Sequence, residues 1–230
     1  MGKKTDITDE EITANIATAR ITVRIIGLII MEAKYMEDEP NDNTPYLHAL
    51  SIQSMGVMNL MFLLFDEETT EGLEAVVARA MFLRSLVEAA ANIHYFAIHK
   101  NDDELANKFL KTADVAEEAL QSIRSKKKFK RFYWTDKSIS KRISDMESIR
   151  KGLSYSDLYF YLSSFVHADA GFLNTLPRAK SQYYPHLFFG MAVICMMDIM
   201  DALEDAGALR GSSDKFTGTL QAYLDPEPEH

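Results

Sequence analysis

The chain contains few of the residues that break or cross-link regular structure. Its 230 residues include ten glycines, six prolines and one cysteine. A β-sandwich needs many turns rich in glycine and proline, so this composition argues against that class. One cysteine excludes an internal disulfide and suits a reducing compartment. We therefore expect a cytoplasmic protein in which Cys195 is a small buried hydrophobic residue.

Long uninterrupted hydrophobic runs are also missing. The most apolar stretches are 21–31, 55–65 and 187–200, and each is shorter than the roughly 18 residues that a membrane helix needs. Arg24 and Asp198 interrupt two of them. No apolar signal-peptide core follows the first residues. We predict core helices, no export signal and no membrane contact.

Positive charge is scarce except in one segment. The chain has a net charge of −9, but residues 124–151 alone carry +8 and the remainder carries −17. Such a segment can attract RNA or the acidic face of a protein partner. Interleaved aromatic residues are typical of single-strand binding. The candidate nucleic-acid-binding residues are Lys126, Lys127, Lys128, Lys130 and Arg131. The alternative is a solvated connection whose aromatic residues anchor it to the core.

Hydrophobic periodicity is helical along the whole chain, and no useful stretch alternates with period two. We predict an all-α, single-domain bundle of about seven helices over residues 1–230, with a basic aromatic connection at 125–135 and a flexible tail at 224–230. Capping residues and prolines predict the helix starts, and a glycine predicts the end of the last long helix. These signals are Thr8 with Glu11, Thr44-Pro45, Asn101 with Glu104, Thr135, Ser154 with Asp157, Pro185 and, for the end, Gly207.

Two predicted helices carry polar side chains at four-residue steps in apolar surroundings. On the third helix these are Arg84, Glu88 and Asn92, and on a later helix they are Tyr155, Tyr159, Ser163 and His167. Each set forms one slanted ridge on its helix. Helices that present such ridges to each other tend to cross at about −50°. We therefore predict that Arg84, Glu88, Tyr159, Ser163 and His167 converge, with Arg84 within about 10 Å of His167, into one hydrogen-bonded group.

The segments 84–95 and 155–167, together with Trp134 ahead of a basic helix, resemble a bacterial family catalogued as domain of unknown function 5677. The likeness covers about residues 76–174. That family is similar in plan to the HEPN group of helical proteins, many of which are dimeric ribonucleases in toxin and antiphage systems. The resemblance implies a HEPN-like fold, a homodimer and a role on RNA in bacterial defence.

The chain departs from the HEPN signature, which places an arginine five to seven residues before a histidine on one helix. Here those positions hold Phe160, Tyr161 and Leu162, so a metal-independent endoribonuclease would have to bring Arg84 and His167 together through the fold. In such a site His167 is the base or acid and Arg84 binds phosphate. Tyr159 or Ser163 would orient them. The alternative is a non-enzymatic interaction or regulatory module in which the same residues form a buried structural network.

Cofactor motifs are absent from the sequence. There is no glycine-rich phosphate loop, no nucleophile elbow and no paired-cysteine zinc spacing. His167 and Asp169 with Glu88 match no recognised metal-site pattern. We expect neither a cofactor nor a metal, and we interpret Asp198, Asp201, Glu204 and Asp205 as a solvated acidic stripe.

Overall fold

The computed structural model describes residues 8–31, 45–64, 73–100, 102–125, 133–150, 154–167, 183–209 and 211–224. Most residues within these ranges are helical and none is in a strand, which confirms the predicted all-α bundle. The helices are α1 (Asp9–Met31), α2 (Pro45–Leu64), α3 (Leu73–Ile98), α4 (Asp103–Leu110), α5 (Thr112–Ser125), α6 (Ile139–Ile149), α7 (Tyr155–His167), α8 (Tyr183–Asp205) and α9 (Ser212–Leu224). Only Lys111 separates α4 from α5. The described part therefore has slightly more helical segments than the predicted seven.

The first helix start and the end of α8 follow the predicted capping chemistry. The backbone N–H of Thr8 donates to Glu11 Oε2 at 2.8 Å, and the N–H of Glu11 donates to Thr8 Oγ1 at 3.2 Å. Gly207 follows α8 with φ of +76°, a conformation that glycine adopts without the penalty of a side chain. The N–H of Gly207 donates to the carbonyl of Glu204 at 2.8 Å, as in a glycine-terminated helix.

Three predicted helix starts are wrong by a few residues. The N-cap of α4 is Asp102 rather than Asn101, because the Asp102 carboxylate accepts the N–H three residues along at 2.9 Å. The N-cap of α6 is Ser138 rather than Thr135. Thr135 lies in the turn before the helix. Helix α8 begins two residues before Pro185, because a proline fits anywhere in the first turn, where its missing N–H is not needed.

Helix α3 is the centre of the bundle. It packs against α2, α6, α7 and α8, while α1 packs on α8 and α9. The hydroxyl of Tyr46, at the start of α2, donates to the carbonyl of Phe96, near the end of α3, at 3.2 Å, so these two helices run antiparallel. The prediction for Cys195 is confirmed: it is fully buried on α8, and burial raises the pKa of its thiol.

Helix α1 is long and apolar enough to cross a membrane. Its span from Glu10 to Met31 has a mean hydropathy of 1.6 in the best window, of which 39% is buried against the rest of the protein. The uninterrupted apolar run in this helix is too short to span a membrane, whereas the average over the whole helix includes Arg20 and Arg24. A helix in the core of a bundle passes the same test, and α1 packs on α8 and α9. The absence of membrane contact stays a prediction.

Candidate functional site

A three-residue polar group lies where α7 crosses α3. Arg84 Nη2 donates to the hydroxyl oxygen of Tyr159 at 2.8 Å, and that hydroxyl donates to Glu88 Oε1 at 2.9 Å. Arg84 Nη2 also lies 3.3 Å from Glu88 Oε1. The guanidinium carbon is 4.9 Å from the centre of the Tyr159 ring, within cation–π range. The two ridges thus meet at Arg84, Glu88 and Tyr159, as their spacing predicted.

Burial of this group is partial. The side chains of Arg84 and Glu88 are 23% and 37% exposed, so solvent and a ligand can reach them. Arg84 Nε, however, is buried without a hydrogen-bond partner among the described residues. Burial raises the pKa of Tyr159, so its hydroxyl stays protonated at neutral pH and can donate to the Glu88 carboxylate.

Two other members of the predicted ridges, Ser163 and Asn92, make their hydrogen bonds elsewhere. The hydroxyl of Ser163 donates to the carbonyl of Tyr159 on its own helix at 2.7 Å, so it adds no bond to Arg84 or Glu88. Asn92 Oδ1 accepts from Arg142 Nε at 2.9 Å. A hydroxyl on a helix often bonds back to the carbonyl one turn earlier, which removes it from contacts across helices.

Helix α7 runs antiparallel to α3. Tyr155, at its start, donates to Asp198 Oδ2 on α8, and the backbone of Asp198 lies close enough to His94 to influence the imidazole. Tyr159, one turn later, reaches back to Glu88 and Arg84. The residue numbers of the contacts on α3 therefore decrease as the residue numbers on α7 increase. The side chain of His167 lies outside the described part of the chain, so its predicted approach to Arg84 stays a prediction.

The beginning of α6 is joined to α3 by a buried arginine that the sequence analysis did not single out. Arg142 is 9% exposed, donates through Nη1 to the carbonyl of Lys137 at 2.5 Å, and donates through Nε to Asn92. Its guanidinium carbon is 5.0 Å from the centre of the Trp134 ring. Burial lowers the pKa of Arg142, whereas the negative charge of the nearby Glu88 raises it.

Trp134 anchors the described end of the basic aromatic connection. Its ring stacks on Phe96 with centroids 5.4 Å apart and 4° between the planes, and it meets the edge of Phe109 at 5.3 Å. These contacts occupy the ring, so Trp134 is not available to stack on a base. Tyr133, by contrast, is 71% exposed. The predicted nucleic-acid-binding residues Lys126, Lys127, Lys128, Lys130 and Arg131 lie outside the described residues.

Three members of the acidic stripe predicted on the last long helix have partners on other helices, although the Asp205 side chain stays 66% exposed. Arg150 binds Asp201 through Nη1 at 3.4 Å and Asp205 through Nη2 at 2.8 Å, and Tyr155 donates to Asp198. These contacts join α8 to the end of α6 and the start of α7. These pairs were not predictable from the sequence, because partners 43 to 55 residues away have no signature in local spacing.

A buried histidine lies beside this cluster. His94 is 3% exposed, and its Nε2 has no hydrogen-bond partner among the described residues. Burial and the charge of Arg150 lower its pKa to about 4, against a small opposing effect of the Asp198 backbone. His94 is therefore neutral at physiological pH, which makes it a poor proton acceptor there.

The described residues hold no group of three or more histidine, cysteine, aspartate or glutamate side chains arranged to bind a metal. No family model, curated protein or solved structure matches this chain. The resemblance to the HEPN-like family therefore stays an expectation from the quoted residues. The Arg84, Glu88 and Tyr159 group is the candidate site on geometric grounds alone.

Removing the Tyr159 hydroxyl tests how much this group contributes to stability. In Tyr159→Phe, Arg84 and Glu88 each lose a partly buried partner. We therefore expect the free energy of unfolding to fall by about 1–2 kcal/mol. Chemical denaturation monitored by circular dichroism measures the change. Tyr133→Phe, at an exposed position, is the matched control and should stay within about 0.5 kcal/mol of the parent. Equal stabilities for the two variants would contradict the structural role.

Proposed function

We propose that this chain is a HEPN-like helical protein that acts on RNA, as an effector or toxin of a bacterial defence system. Its site contains Arg84, Glu88 and Tyr159, with His167 contributed by the last turn of α7. The observation that carries the proposal is an arginine held in place between two helices by Glu88 and Tyr159 while its side chain stays 23% exposed. A positioned, accessible guanidinium is suited to bind a phosphate group.

The chemistry of the proposed site is metal-independent cleavage of RNA. His167 accepts the proton of a 2′-hydroxyl, whose oxygen attacks the adjacent phosphorus. The bond from phosphorus to the 5′-oxygen breaks, and that oxygen leaves with a proton from water. The products are a 2′,3′-cyclic phosphate and a 5′-hydroxyl end. Arg84 stabilises the additional negative charge on the phosphorus oxygens, and Tyr159 keeps the guanidinium from rotating away.

A second candidate is a non-enzymatic interaction or regulatory module, and one observation favours it. Arg84 Nη2 already contacts both Tyr159 and Glu88, so the charge of the guanidinium is compensated within the protein. To bind phosphate, the guanidinium would have to give up its contact with Tyr159 or Glu88. In this alternative the group only fixes how α3 crosses α7.

His167→Ala and Glu88→Gln, compared side by side, separate the two candidates. If His167 is a general base or acid, His167→Ala should reduce cleavage of single-stranded RNA by about 10²–10⁴-fold. Its unfolding free energy should stay within about 0.5 kcal/mol of the parent, as for exposed substitutions. If the group is structural, both variants strand polar partners and each should lose about 1–3 kcal/mol.

The control is His48→Ala, because His48 is an exposed histidine on α2 with no proposed role. It should keep full cleavage and full stability. Cleavage by the parent that survives unchanged in His167→Ala would reject the catalytic proposal. A parent that cleaves no RNA, together with variants that lose stability, would favour the interaction module.

The basic segment is the proposed path by which RNA reaches the site. Replacing Lys126, Lys127, Lys128, Lys130 and Arg131 with glutamine should abolish RNA binding in a fluorescence-anisotropy titration. The parent affinity should fall steeply with salt, since phosphate contacts release counterions. We expect charged side chains such as these to be solvated, so the thermal transition should change little.

The matched control neutralises Lys100, Lys108 and Lys111, three exposed lysines around α4. It should bind RNA as the parent does. If the two neutralised variants bind RNA equally well, the basic segment has no specific role.

A further inference from the structure

Phe160, on α7, exposes an aromatic ring to solvent. Its side chain is 79% exposed, more than any other large hydrophobic side chain in the described part of the chain. A single exposed apolar residue is common on protein surfaces and by itself indicates no site. Phe160 differs in its position, because the preceding residue, Tyr159, binds Arg84 and Glu88 through its hydroxyl. The ring is therefore the immediate neighbour of the candidate site along α7.

The helical period defines which side of α7 faces solvent. Tyr155 and Phe165 both contact residues of α8, so their side of α7 is covered. Phe160 is five residues from each of them, which rotates it by about 140° from both. Ser156 and Ser163, one turn before and one turn after Phe160, are exposed and half-buried. Phe160 thus lies on the solvent side of α7, between two serines.

The exposed side of α3 borders the same solvent region. Ser85 follows Arg84 on α3, and Phe160 follows Tyr159 on α7, so each is rotated by about 100° in the same sense from the contact between the helices. Equal rotations on antiparallel helices lead to the same side of the pair. Ser85 is exposed, and Glu88, rotated by about 40° in that sense, is 37% exposed. Phe160, Ser85 and Glu88 therefore border one accessible surface.

The surroundings of Phe160 suit a nucleotide better than an apolar protein surface. Its neighbours on this surface are Ser156, Ser163 and Ser85. The centre of a protein interface is a continuous apolar patch, which one ring among serines does not provide. A nucleic-acid base needs only one aromatic face on which to stack, while its sugar and phosphate bind polar and cationic side chains.

A stacking contact also supplies affinity that Arg84 alone does not. Arg84 Nη2 lies 3.3 Å from Glu88 Oε1, so the charge of the guanidinium is partly compensated, and the carboxylate repels a phosphate group. Stacking does not depend on net charge. It changes the affinity by about 5–150-fold for each base.

We propose that Phe160 stacks on an unpaired base of single-stranded RNA and places the adjoining phosphate beside Arg84. The assignment rests on the proposed RNA-acting function and names its substrate class. Bases in a duplex are stacked within the helix, so only a single strand offers a free base face. His167 is seven residues along α7, almost two full turns, so its position on the helix lies on the same face as Phe160. Stacking tolerates every base, so this contact adds no sequence preference.

Fluorescence anisotropy measures binding of the full chain to a short single-stranded oligomer of 2′-O-methyl RNA, whose blocked 2′-oxygen prevents the proposed cleavage. Phe160→Ala should weaken binding by about 5–150-fold. Phe160→Leu keeps an apolar side chain without a π face and should lose nearly as much. Phe160→Trp should bind at least as tightly as the parent. All three variants should melt close to the parent, because the position is exposed.

Leu28→Ala is the matched control, because Leu28 is 60% exposed on α1, a helix that packs on α8 and α9. It should bind the oligomer as the parent does. A ribose-phosphate oligomer without bases is the second probe. The parent and Phe160→Ala should bind it equally weakly, because it offers nothing to stack. Duplex RNA should likewise show no difference between these two proteins.

Several results would overturn the assignment. Equal binding of the single-stranded oligomer by the parent and Phe160→Ala is one, and no binding by the parent is another. Parent-like binding by Phe160→Leu shows an apolar contact without stacking. An equal loss on the base-free oligomer shows that the ring acts through the fold. A change of oligomeric state in Phe160→Ala, seen by sedimentation with unchanged RNA binding, assigns the ring to a contact between two copies.

Cleavage of unmodified single-stranded RNA separates this assignment from the proposed function. If the parent binds the oligomer through Phe160 but cleaves no RNA, the stacking contact stands and the catalytic proposal fails. If Phe160→Ala cleaves RNA with the kcat and KM of the parent, cleavage stands and stacking is rejected. If both proposals hold, Phe160→Ala should raise KM and change kcat little, because stacking binds the substrate and the transition state alike.

Discussion

Arg142→Ala is expected to lower the unfolding free energy by about 3–5 kcal/mol. The substitution leaves a cavity against Trp134 and removes the guanidinium from Asn92 and from the carbonyl of Lys137. A large-to-small change in a buried place and the loss of partners from polar groups each cost a few kcal/mol. For a domain of this size the melting temperature should fall by about 10 °C, measured by scanning calorimetry.

Lys141→Ala is the control for this experiment. Lys141 precedes Arg142 on α6 and is exposed, and it pairs with Asp145 at 3.1 Å. Surface pairs contribute about 0–1 kcal/mol, so the control should melt close to the parent. Arg142→Lys keeps a charge but not the planar fork and should fall between the two. A melting temperature for Arg142→Ala within 1 °C of that of the control would show that this arginine does not hold α6 to α3.

Acid should destabilise the parent more than a variant without His94. In the folded state the pKa of His94 is lowered from 6.5 to about 4, so between these values the unfolded chain binds the extra proton. Stability therefore rises with pH across this window and is lost as pH falls from about 6.5 to 4. A difference of about 2.5 pKa units corresponds to about 3 kcal/mol, lost in full only below pH 4.

The measurement is urea denaturation at a series of pH values from 7 to 4 for the parent, His94→Gln and His48→Gln. Carboxylates contribute to acid unfolding in all three proteins, so the comparison isolates the imidazole. His94→Gln should lose about 3 kcal/mol less over this range than the parent, whatever its stability at pH 7. His48→Gln, at an exposed position, should follow the parent. Identical pH dependence in the parent and His94→Gln would be incompatible with a buried neutral His94.

Much of the helical architecture was predictable because its signals are local. A capping box such as Thr8 with Glu11, or a glycine such as Gly207 after a helix, acts within one turn of the chain. The errors at Asn101 and Thr135 arise because aspartate, asparagine, serine and threonine are all good caps. When two of them stand close together, the neighbouring packing selects the one that is used.

The meeting of Arg84 and Glu88 with Tyr159 was predictable because two ridges of complementary polar side chains favour one crossing geometry. The length over which the two ridges contact each other was not predictable. Ser163 can satisfy its hydroxyl on its own helix, and Tyr155 and Asn92 have partners on α8 and α6. The period of a pattern defines a face of a helix, but it does not define which neighbour covers each part of that face.

The sequence by itself determined the helices, several of their ends and the apolar core, since propensity, capping and the 3.6-residue period are properties of neighbouring residues. Only the tertiary structure decided which charged residues are buried. Three arginines illustrate this. The guanidinium of Arg79 has no hydrogen-bond partner among the described residues. Arg142 bonds to Asn92 on α3, and Arg150 pairs with carboxylates on α8. The physical reason is that desolvation and pairing depend on residues distant in sequence, which local composition does not contain.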